Sequence, residues 1–241
     1  MILNYILCIA VFLGLIAGSY AHAVTGYVRG TSRIMNLNQA ALLAESGLDI
    51  GVDLLRRQRA GTLPASPITI KFENGEVTLR FEDEGGKIDI NKAPLPLVES
   101  LIKKLDLGEP VKEDIVAAIR QARENSQLLA SLNQIPLKTP IDSAVMEGLS
   151  RYLTTYSGLP FADPGKAPPL LATILQRGTN SGWAGTATGT AYTIISTATA
   201  VNGSQYTLAK TLKPSPLTPL GLTSVLRERK SNNTKNADNL D

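Results

Sequence analysis

The first 28 residues contain no Asp, Glu, Lys or Arg, and this charge-free run constrains the fold more than any other feature. A helix needs about 20 mostly apolar residues to cross the hydrocarbon core of a bilayer, and the apolar stretch within the run reaches that length. The run therefore predicts the membrane-spanning half of an N-terminal helix over residues 1–28. Two alternatives stay open: a buried helix of a soluble protein, and a cleaved signal, since Ala21-His22-Ala23 fits a small-x-small cleavage pattern.

The following residues predict that the helix continues as an amphipathic spine over 29–60. Apolar side chains recur there at spacings of three and four, which places them on one face of a helix, and Gly61, Pro64 and Pro67 end it. Such a face packs either on a sheet of its own chain or on other proteins. We expect an assembly interface formed by Ile34, Leu37, Ala41, Ala44 and Leu48.

The remainder of the chain predicts an α+β head over residues 61–212. Asn74-Gly75 separates two alternating runs, which is typical of a hairpin with a type I′ turn, in which both central residues have positive φ. A second hairpin is predicted around Asn202-Gly203. Beyond it, residues 213–241 are rich in Pro, Ser, Asn and Lys and predict a disordered tail.

Between the two hairpins the sequence predicts several short helices. Pro94 and Pro168 each precede an apolar run and are compatible with a helix start. A helix around 142–151 leads into an expected strand over 152–156. The Gly- and Thr-rich loop that follows contains Trp183, which either anchors the loop to the core or is an exposed contact residue.

Composition argues against an enzyme. The chain has one Cys and one His, which exclude an internal disulfide, a multi-thiolate zinc site and a His-rich metal centre. A Ser–His–Asp triad would have to use His22, at the end of the membrane run. The 24 Lys+Arg against 21 Asp+Glu give a net charge of +3, which is too small for a nucleic-acid footprint. We expect no catalysis, no small-molecule substrate, no cofactor and no nucleic acid.

Two features keep other functions open. An acidic cluster follows the first hairpin and consists of Glu82, Asp83, Glu84 and Asp89. It could ligate calcium, which prefers oxygen ligands, but the spacing does not match an EF-hand and favours a solvated turn. The helices on either side of Gly108 are also compatible with a helix–hairpin–helix DNA-binding module. Their turn, however, contains two acids and Pro110, which has no N–H to offer a phosphate.

One long motif and the order of the elements resemble a known family. The motif is Asp83-Glu84-Gly85-Gly86-Lys87-Ile88-Asp89-Ile90-Asn91-Lys92-Ala93-Pro94. Together with the long helix and hairpin before it, it resembles the minor pseudopilin K family of bacterial type II secretion systems (general secretion pathway protein K). The similarity continues through 149–157 and Ala167-Pro168 to the final hairpin and covers about 34–212.

The resemblance implies a pilin-like α+β fold. In that family the long N-terminal helix packs on an antiparallel sheet, and a small helical, helix-hairpin-like domain is inserted, here at about 92–151. The family motif would be carried by Asp83, Gly86, Ile88, Ile90, Asn91, Ala93 and Pro94.

The resemblance also implies a function. Family members cap the tip of a short periplasmic pseudopilus with the I and J minor pseudopilins, support protein export across the outer membrane, and catalyse nothing. Their helix is anchored in the inner membrane with the head in the periplasm. The positive-inside rule, applied to Arg29 and Arg33, would instead place the head in the cytoplasm; we follow the family.

Three alternatives remain at this point. They are a minor pilin related to type IV pili, a membrane-tethered DNA-binding protein of competence type, and a secreted enzyme whose signal is removed so that Val24 comes first.

Overall fold

A single 56-residue helix, α1 (Ile2–Arg57), forms the longest element of the computed structural model, which describes residues 2–58, 62–178, 182–187, 190–214 and 222–232. At a rise of about 1.5 Å per residue, α1 is about 84 Å long. The other elements in chain order are β1 (Ile68–Phe72), β2 (Gly75–Asp83), β3 (Ile88–Asp89), α2 (Leu95–Lys104), α3 (Glu109–Glu124), α4 (Ser143–Ser150), β4 (Leu153–Thr154), α5 (Pro169–Arg177), β5 (Tyr192–Ala200), β6 (Gln205–Pro214) and β7 (Leu222–Asn232).

Five strands form one antiparallel sheet in the order β1-β2-β5-β6-β7. β5 is the central strand and pairs with β2 along its whole length. The C-terminal part of α1 covers one face of this sheet, mainly over β2, β5 and β6. The predicted architecture of a long N-terminal helix packed on an antiparallel sheet is confirmed.

Two glycines allow α1 to lie close to the sheet. A Cβ atom on Gly47 would be 2.5 Å from Val77 Cγ1, and one on Gly51 would be 2.8 Å from Ile194 Cγ2. Any larger residue would therefore push the helix away from the sheet. The apolar layer between them is formed by Ala44, Leu48, Leu55, Val77, Leu79, Phe81, Tyr192, Ile194, Ala198, Leu208 and Leu212.

A second core belongs to a helical subdomain over residues 84–191, inserted between β2 and β5. Its fully buried large members come from β3 and the residue after it, and from α2, α3, α4, β4 and α5: Ile88, Ile90, Leu97, Leu101, Ile102, Ile115, Ile119, Leu149, Leu153, Leu171 and Leu175. The predicted insert over about 92–151 ends too early, because Leu171 and Leu175 of α5 pack in the same core. Tertiary packing, which no local signal reports, sets this boundary.

Both hairpins form, but the first turn differs from the prediction. Phe72 pairs with Gly75, so the turn residues are Glu73 and Asn74, and neither has a positive φ. Gly75 instead opens β2 with φ of +148°, and a Cβ there would collide with the Thr199 carbonyl oxygen. The type I′ assignment to Asn74-Gly75 is therefore wrong, although glycine is required at residue 75. The second hairpin has a three-residue loop that ends in Gly203, whose φ is +82°.

The predicted disordered tail over 213–241 is wrong for part of its length. Residues 222–232 form β7, an edge strand paired antiparallel with β6. β7 contains Leu222, Val225 and Leu226 in its first half, but its second half is charged and polar, and it forms a strand by pairing with the edge that β6 provides. The rest of the predicted tail, over 215–221 and 233–241, lies outside the described residues.

Two smaller predictions were also settled. The strand expected over 152–156 is reduced to the two residues of β4, which pair in parallel with β3. Trp183 anchors its loop, because its indole packs on Gly178, where a Cβ would come within 2.5 Å of the ring. Residues 179–181 and 188–189 of that predicted loop lie outside the described residues.

Candidate functional site

The motif over residues 83–94 connects β2 of the sheet to α2 of the helical subdomain, and we call it the joint. It contains all seven predicted family-motif positions. Its first half contacts the sheet and the turn before α5, and its second half contacts the loops that follow α3 and β4. The joint therefore fixes how the two cores are connected.

Close backbone contact explains the paired glycines of the joint. Gly86 lies against the turn before α5, where a Cβ would be 2.5 Å from the Lys166 carbonyl carbon and 2.9 Å from the Ala167 nitrogen. A Cβ on Gly85 would be 2.7 Å from Ala187 Cβ. Asp83 Oδ1 accepts hydrogen bonds from the Gly85 nitrogen at 2.9 Å and from Thr190 Oγ1 at 2.6 Å.

Three of the four residues of the acidic cluster that the sequence offered for calcium, Glu82, Asp83 and Glu84, form ion pairs with lysines. Lys87 Nζ donates to Glu82 Oε2 at 2.6 Å and to Glu84 Oε1 at 2.9 Å, and Lys166 Nζ lies 2.7 Å from Asp83 Oδ2. Burial alone would lower the pKa of Lys87, but the facing carboxylates of Glu84 and Glu82 outweigh it and raise the pKa above its ordinary value. Within the described part of the chain, no group of three His, Cys, Asp or Glu residues is arranged to hold a metal ion.

The polar residues of the second half hydrogen-bond to the backbone of distant loops. Asp89 Oδ2 accepts from the Gly158 nitrogen at 2.7 Å, and Asn91 makes two hydrogen bonds with the backbone of Leu129. Arg123 Nε donates to the Ile90 carbonyl oxygen at 2.8 Å. Burial lowers the pKa of Arg123, an effect that the nearby Asp89 partly offsets.

The apolar motif positions are structural as well. Ile88, Ile90 and Ala93 are fully buried in the core of the subdomain, and Pro94 is the residue before α2. The sequence did not reveal the tertiary partners of the joint, Arg123, Leu129 and Lys166. They lie 33 to 83 residues from their partners along the chain, so no local pattern links them.

The predicted assembly stripe on α1 divides between two environments. Ala44 and Leu48 are buried against the sheet of the same chain, and Leu37 and Ala41 are half-buried. Ile34 is 63% exposed. Ala44 and Leu48 are therefore not available to a partner, because the intramolecular sheet already covers them. An assembly role for the exposed residues remains a prediction.

The structure also leaves several apolar side chains exposed on the side of α1 that faces away from the sheet, a feature that the sequence reasoning missed. At about 100° per residue, these positions share that side of the helix, but the polar residues Thr31, Asn38 and Glu45 lie on it too, so the apolar positions do not form a continuous stripe. We call this side the outer face; its exposed apolar members are Tyr20, Val24, Tyr27, Met35 and Leu42. Toward the C-terminal end of α1 the outer face becomes acidic at Asp49. The spacing gives little signal for this face, because polar residues interrupt it.

α1 also contains a stretch that is long and apolar enough, by length and composition, to cross a membrane. None of its most apolar window is buried in the protein, which argues against the buried helix of a soluble domain. The unsupported part of the helix extends beyond the hairpin end of the sheet, where Gly75 approaches Leu43.

The helix pair α2 and α3 gives no support to DNA binding. α3 begins at Glu109, and Lys112 is used in an ion pair with Glu109 at 2.9 Å. Pro110 occupies the first turn of α3, where a phosphate-binding hairpin would need backbone N–H groups.

No protein-family model matches this sequence, and no curated protein sequence matches it. Among solved structures, the fold is similar to a chain from the crystal structure of the GspK–GspI–GspJ complex of the type 2 secretion system of enterotoxigenic Escherichia coli. The TM-score is 0.58 at 12% identity, and the similarity covers 84% of this chain and 99% of that chain. At this identity the likeness concerns the fold alone. The chain therefore has a pseudopilin-like α+β fold.

Proposed function

We propose that this chain is a non-enzymatic minor pseudopilin at the tip of a type II secretion pseudopilus, where it supports protein export across the outer membrane. The proposal depends mainly on one observation: α1 extends far beyond the head and exposes large apolar side chains on its outer face. The pseudopilin-like fold supports it. The partners would be minor pseudopilins of the I and J type.

In this proposal α1 is a single-pass anchor in the inner membrane and the head lies in the periplasm. Tyr20 and Tyr27 would then lie near the membrane–water interface, where aromatic side chains are favoured. Residues such as Met35 and Leu42, on the head side of the charge-free run, would be covered by the helices of neighbouring subunits. Burying each such side chain contributes about 1.5–3 kcal/mol, enough for a few of them to hold helices together.

The first test is deletion of the gene, followed by measurement of protein export and of surface pili. Loss of export supports a secretion pseudopilin, whereas loss of pili with normal export would assign the chain to a type IV pilus. The second test is co-isolation of pilin-like proteins with the full chain from detergent-solubilised membranes. Normal export and piliation, together with no co-isolated pilin-like protein, would refute the proposal.

A matched pair of variants tests the outer face. Leu42→Glu places a charge on it at a side chain that is 65% exposed, so the fold should be preserved. We expect co-isolation of pilin-like partners to fall about tenfold or more. Ser32→Glu introduces the same charge at an exposed position of α1 outside the outer face and should leave co-isolation unchanged. Equal effects of the two variants would contradict the assigned interface.

A further inference from the structure

The chain contains two Asn-Gly pairs, Asn74-Gly75 and Asn202-Gly203, and each lies at the loop of a hairpin. The side-chain amide of an asparagine that precedes glycine is open to attack by the next backbone nitrogen, because glycine has no Cβ to hinder the approach. In this reaction the asparagine loses ammonia and becomes aspartate or isoaspartate. The two pairs have the same local chemistry, so the fold decides which of them reacts.

The fold holds the first pair on both sides. Gly75 pairs with Phe72 of β1 and with Ala200 of β5, so its backbone belongs to the sheet in both directions. A Cβ on Gly75 would lie 2.9 Å from the Ala200 Cα atom. The Asn74 carbonyl oxygen also accepts a hydrogen bond from the Val201 nitrogen at 3.2 Å. The peptide between Asn74 and Gly75 therefore cannot turn toward the side-chain amide unless neighbouring strands are released.

The second pair lies in a loop that projects from the sheet. Asn202 is exposed, and a Cβ on Gly203 would have nothing within 4 Å. The Gly203 nitrogen donates one hydrogen bond, at 2.8 Å, to the Ala200 carbonyl oxygen, and this bond must open before the nitrogen can react. Local opening of an exposed loop costs much less free energy than the separation of paired strands. The Gly203 nitrogen is therefore easier to free than the Gly75 nitrogen.

The same loop prepares the Asn202 amide for attack. Asn202 Oδ1 accepts a hydrogen bond from the Ser204 nitrogen at 2.9 Å. This hydrogen bond closes a ring that contains both the Asn202 Cγ atom and the Gly203 nitrogen, so the two reacting atoms stay close together. Negative charge develops on Oδ1 when the nitrogen adds to Cγ, and a backbone N–H that already points at this oxygen stabilises that charge.

We propose that Asn202 is a site of spontaneous deamidation and that the fold protects Asn74 from the same reaction. A base from the solvent removes the proton of the Gly203 nitrogen, and this nitrogen forms a bond to Asn202 Cγ. The bond between Cγ and the side-chain nitrogen then breaks, and ammonia leaves with a proton from water. Water opens the resulting succinimide at one of its two carbonyl carbons and gives aspartate or isoaspartate.

The reaction changes both the charge and the backbone of this loop. The neutral amide becomes a carboxylate, which lowers the formal net charge of +3 by one. Isoaspartate also adds a methylene group to the main chain and leaves its α-carboxylate free. That carboxylate is the group that an isoaspartyl methyltransferase would take as substrate, with S-adenosylmethionine as the methyl donor. This inference is independent of the proposed function.

Ageing of the full chain in detergent at mildly alkaline pH tests the proposal. Samples are digested with trypsin, and the peptides 72–80 and 178–210 report on Asn74 and Asn202. Mass spectrometry detects the replacement of the amide NH2 by OH, and labelling with isoaspartyl methyltransferase and S-adenosylmethionine detects isoaspartate. We expect deamidation of Asn202 to be about tenfold or more faster than that of Asn74. Its rate should rise in proportion to the hydroxide concentration.

Unfolding in urea provides a matched control, because the two identical pairs should then react at similar rates. Asn74 should react about tenfold or more faster on unfolding, whereas Asn202 should change little. Asn202→Gln should abolish most of the methyl labelling, since attack on the longer side chain forms a larger ring more slowly, and Asn74→Gln should leave the labelling unchanged. Ser204→Ala keeps the backbone N–H and should leave the rate unchanged.

The inference is overturned if Asn74 deamidates in the folded chain as fast as Asn202 does, or if Asn202→Gln is labelled to the same extent as the native chain. It is also overturned if Asn202 reacts only in urea, because the loop would then protect the amide. A slower reaction of Ser204→Ala would assign the activation of the amide to the Ser204 hydroxyl and contradict the role given to the backbone N–H.

Discussion

Replacing Gly86 by alanine tests the rigidity of the joint most directly. The new Cβ would lie 2.5 Å from the Lys166 carbonyl carbon and 2.9 Å from the Ala167 nitrogen, well inside van der Waals contact. Both are backbone atoms, so no change of rotamer relieves the overlap. Gly86 does not have a positive φ, and the cost is therefore steric and not conformational. Either the joint or the turn before α5 must move.

The size of the effect follows from what that movement disturbs. Overpacking a well-packed site typically costs about 1–3 kcal/mol. Here the turn also carries the hydrogen bond from the Asp163 nitrogen to the Gly85 carbonyl oxygen at 2.9 Å and the Lys166–Asp83 ion pair at 2.7 Å. We therefore expect a loss of about 3 kcal/mol, which lowers Tm by about 6–12 °C in a protein of this size.

The assay is thermal and urea unfolding of the full chain in detergent, followed by fluorescence of Trp183, which reports on the helical subdomain. Gly148→Ala provides the control, because it is the same substitution in α4 with nothing within 4 Å of the added Cβ. Alanine is favoured over glycine in a helix by about 0.5–1 kcal/mol, so Tm should rise by about 1–4 °C. If Gly86→Ala were as stable as the native chain, the close approach would not exist and the joint would not fix the subdomain.

Three further predictions address the joint and the proposed membrane anchor. Asn91→Ala removes both hydrogen bonds to Leu129 and should destabilise the head by about 1–3 kcal/mol, measured by urea unfolding. Because folding raises the pKa of Lys87, the contribution of this residue to the free energy of unfolding is complete below its unfolded pKa of about 10.4 and is lost as pH rises through the higher folded value. Urea unfolding measured between about pH 8 and 12 should show this loss of stability. The Lys87→Met variant should not show it. Leu15→Arg should reduce membrane insertion by about 2.5–3.5 kcal/mol, measured as the fraction resistant to alkaline extraction.

Each of these has a result that would contradict it. Unchanged unfolding of Asn91→Ala would mean that the Leu129 backbone is equally well bound to water. An identical alkaline stability loss in Lys87→Met would assign the titration to another group. Full resistance of Leu15→Arg to extraction would place the membrane segment elsewhere in α1.

The long helix and most short elements could be predicted from sequence because their signals are local. A charge-free run, an apolar spacing of three and four, and prolines at helix starts each act within a few residues. The boundary of the subdomain could not be predicted in the same way, because α5 joins a core whose other members lie tens of residues away. β7 was missed for the same reason: its residues become a strand by pairing with β6.

For the candidate surfaces too, residue spacing predicted which residues share a face, but only tertiary packing decided which of them are exposed. Ile34 and Ala44 fit one stripe by spacing, yet one is exposed and the other is covered by the sheet, and only the position of the sheet separates them. The motif of the joint could be recognised from the order of its residues, but the hydrogen-bond partners of Asp89 and Asn91 could not be predicted from the sequence. These partners are backbone groups of distant loops, and backbone groups leave no trace in sequence.

The sequence by itself determined that this chain has a long apolar helix, two hairpins, an α+β head and neither a disulfide nor a cluster of histidines. Those properties depend on residue type and local spacing. Only the tertiary structure decided which side of α1 is covered, where the helical subdomain ends and which loops the joint holds. The physical reason is that burial and hydrogen bonding depend on which surfaces meet. For α1, Gly47 and Gly51 determine which face packs on the sheet. Because these two residues have no side chain, the sheet can approach and cover their face of the helix, and the opposite face stays exposed.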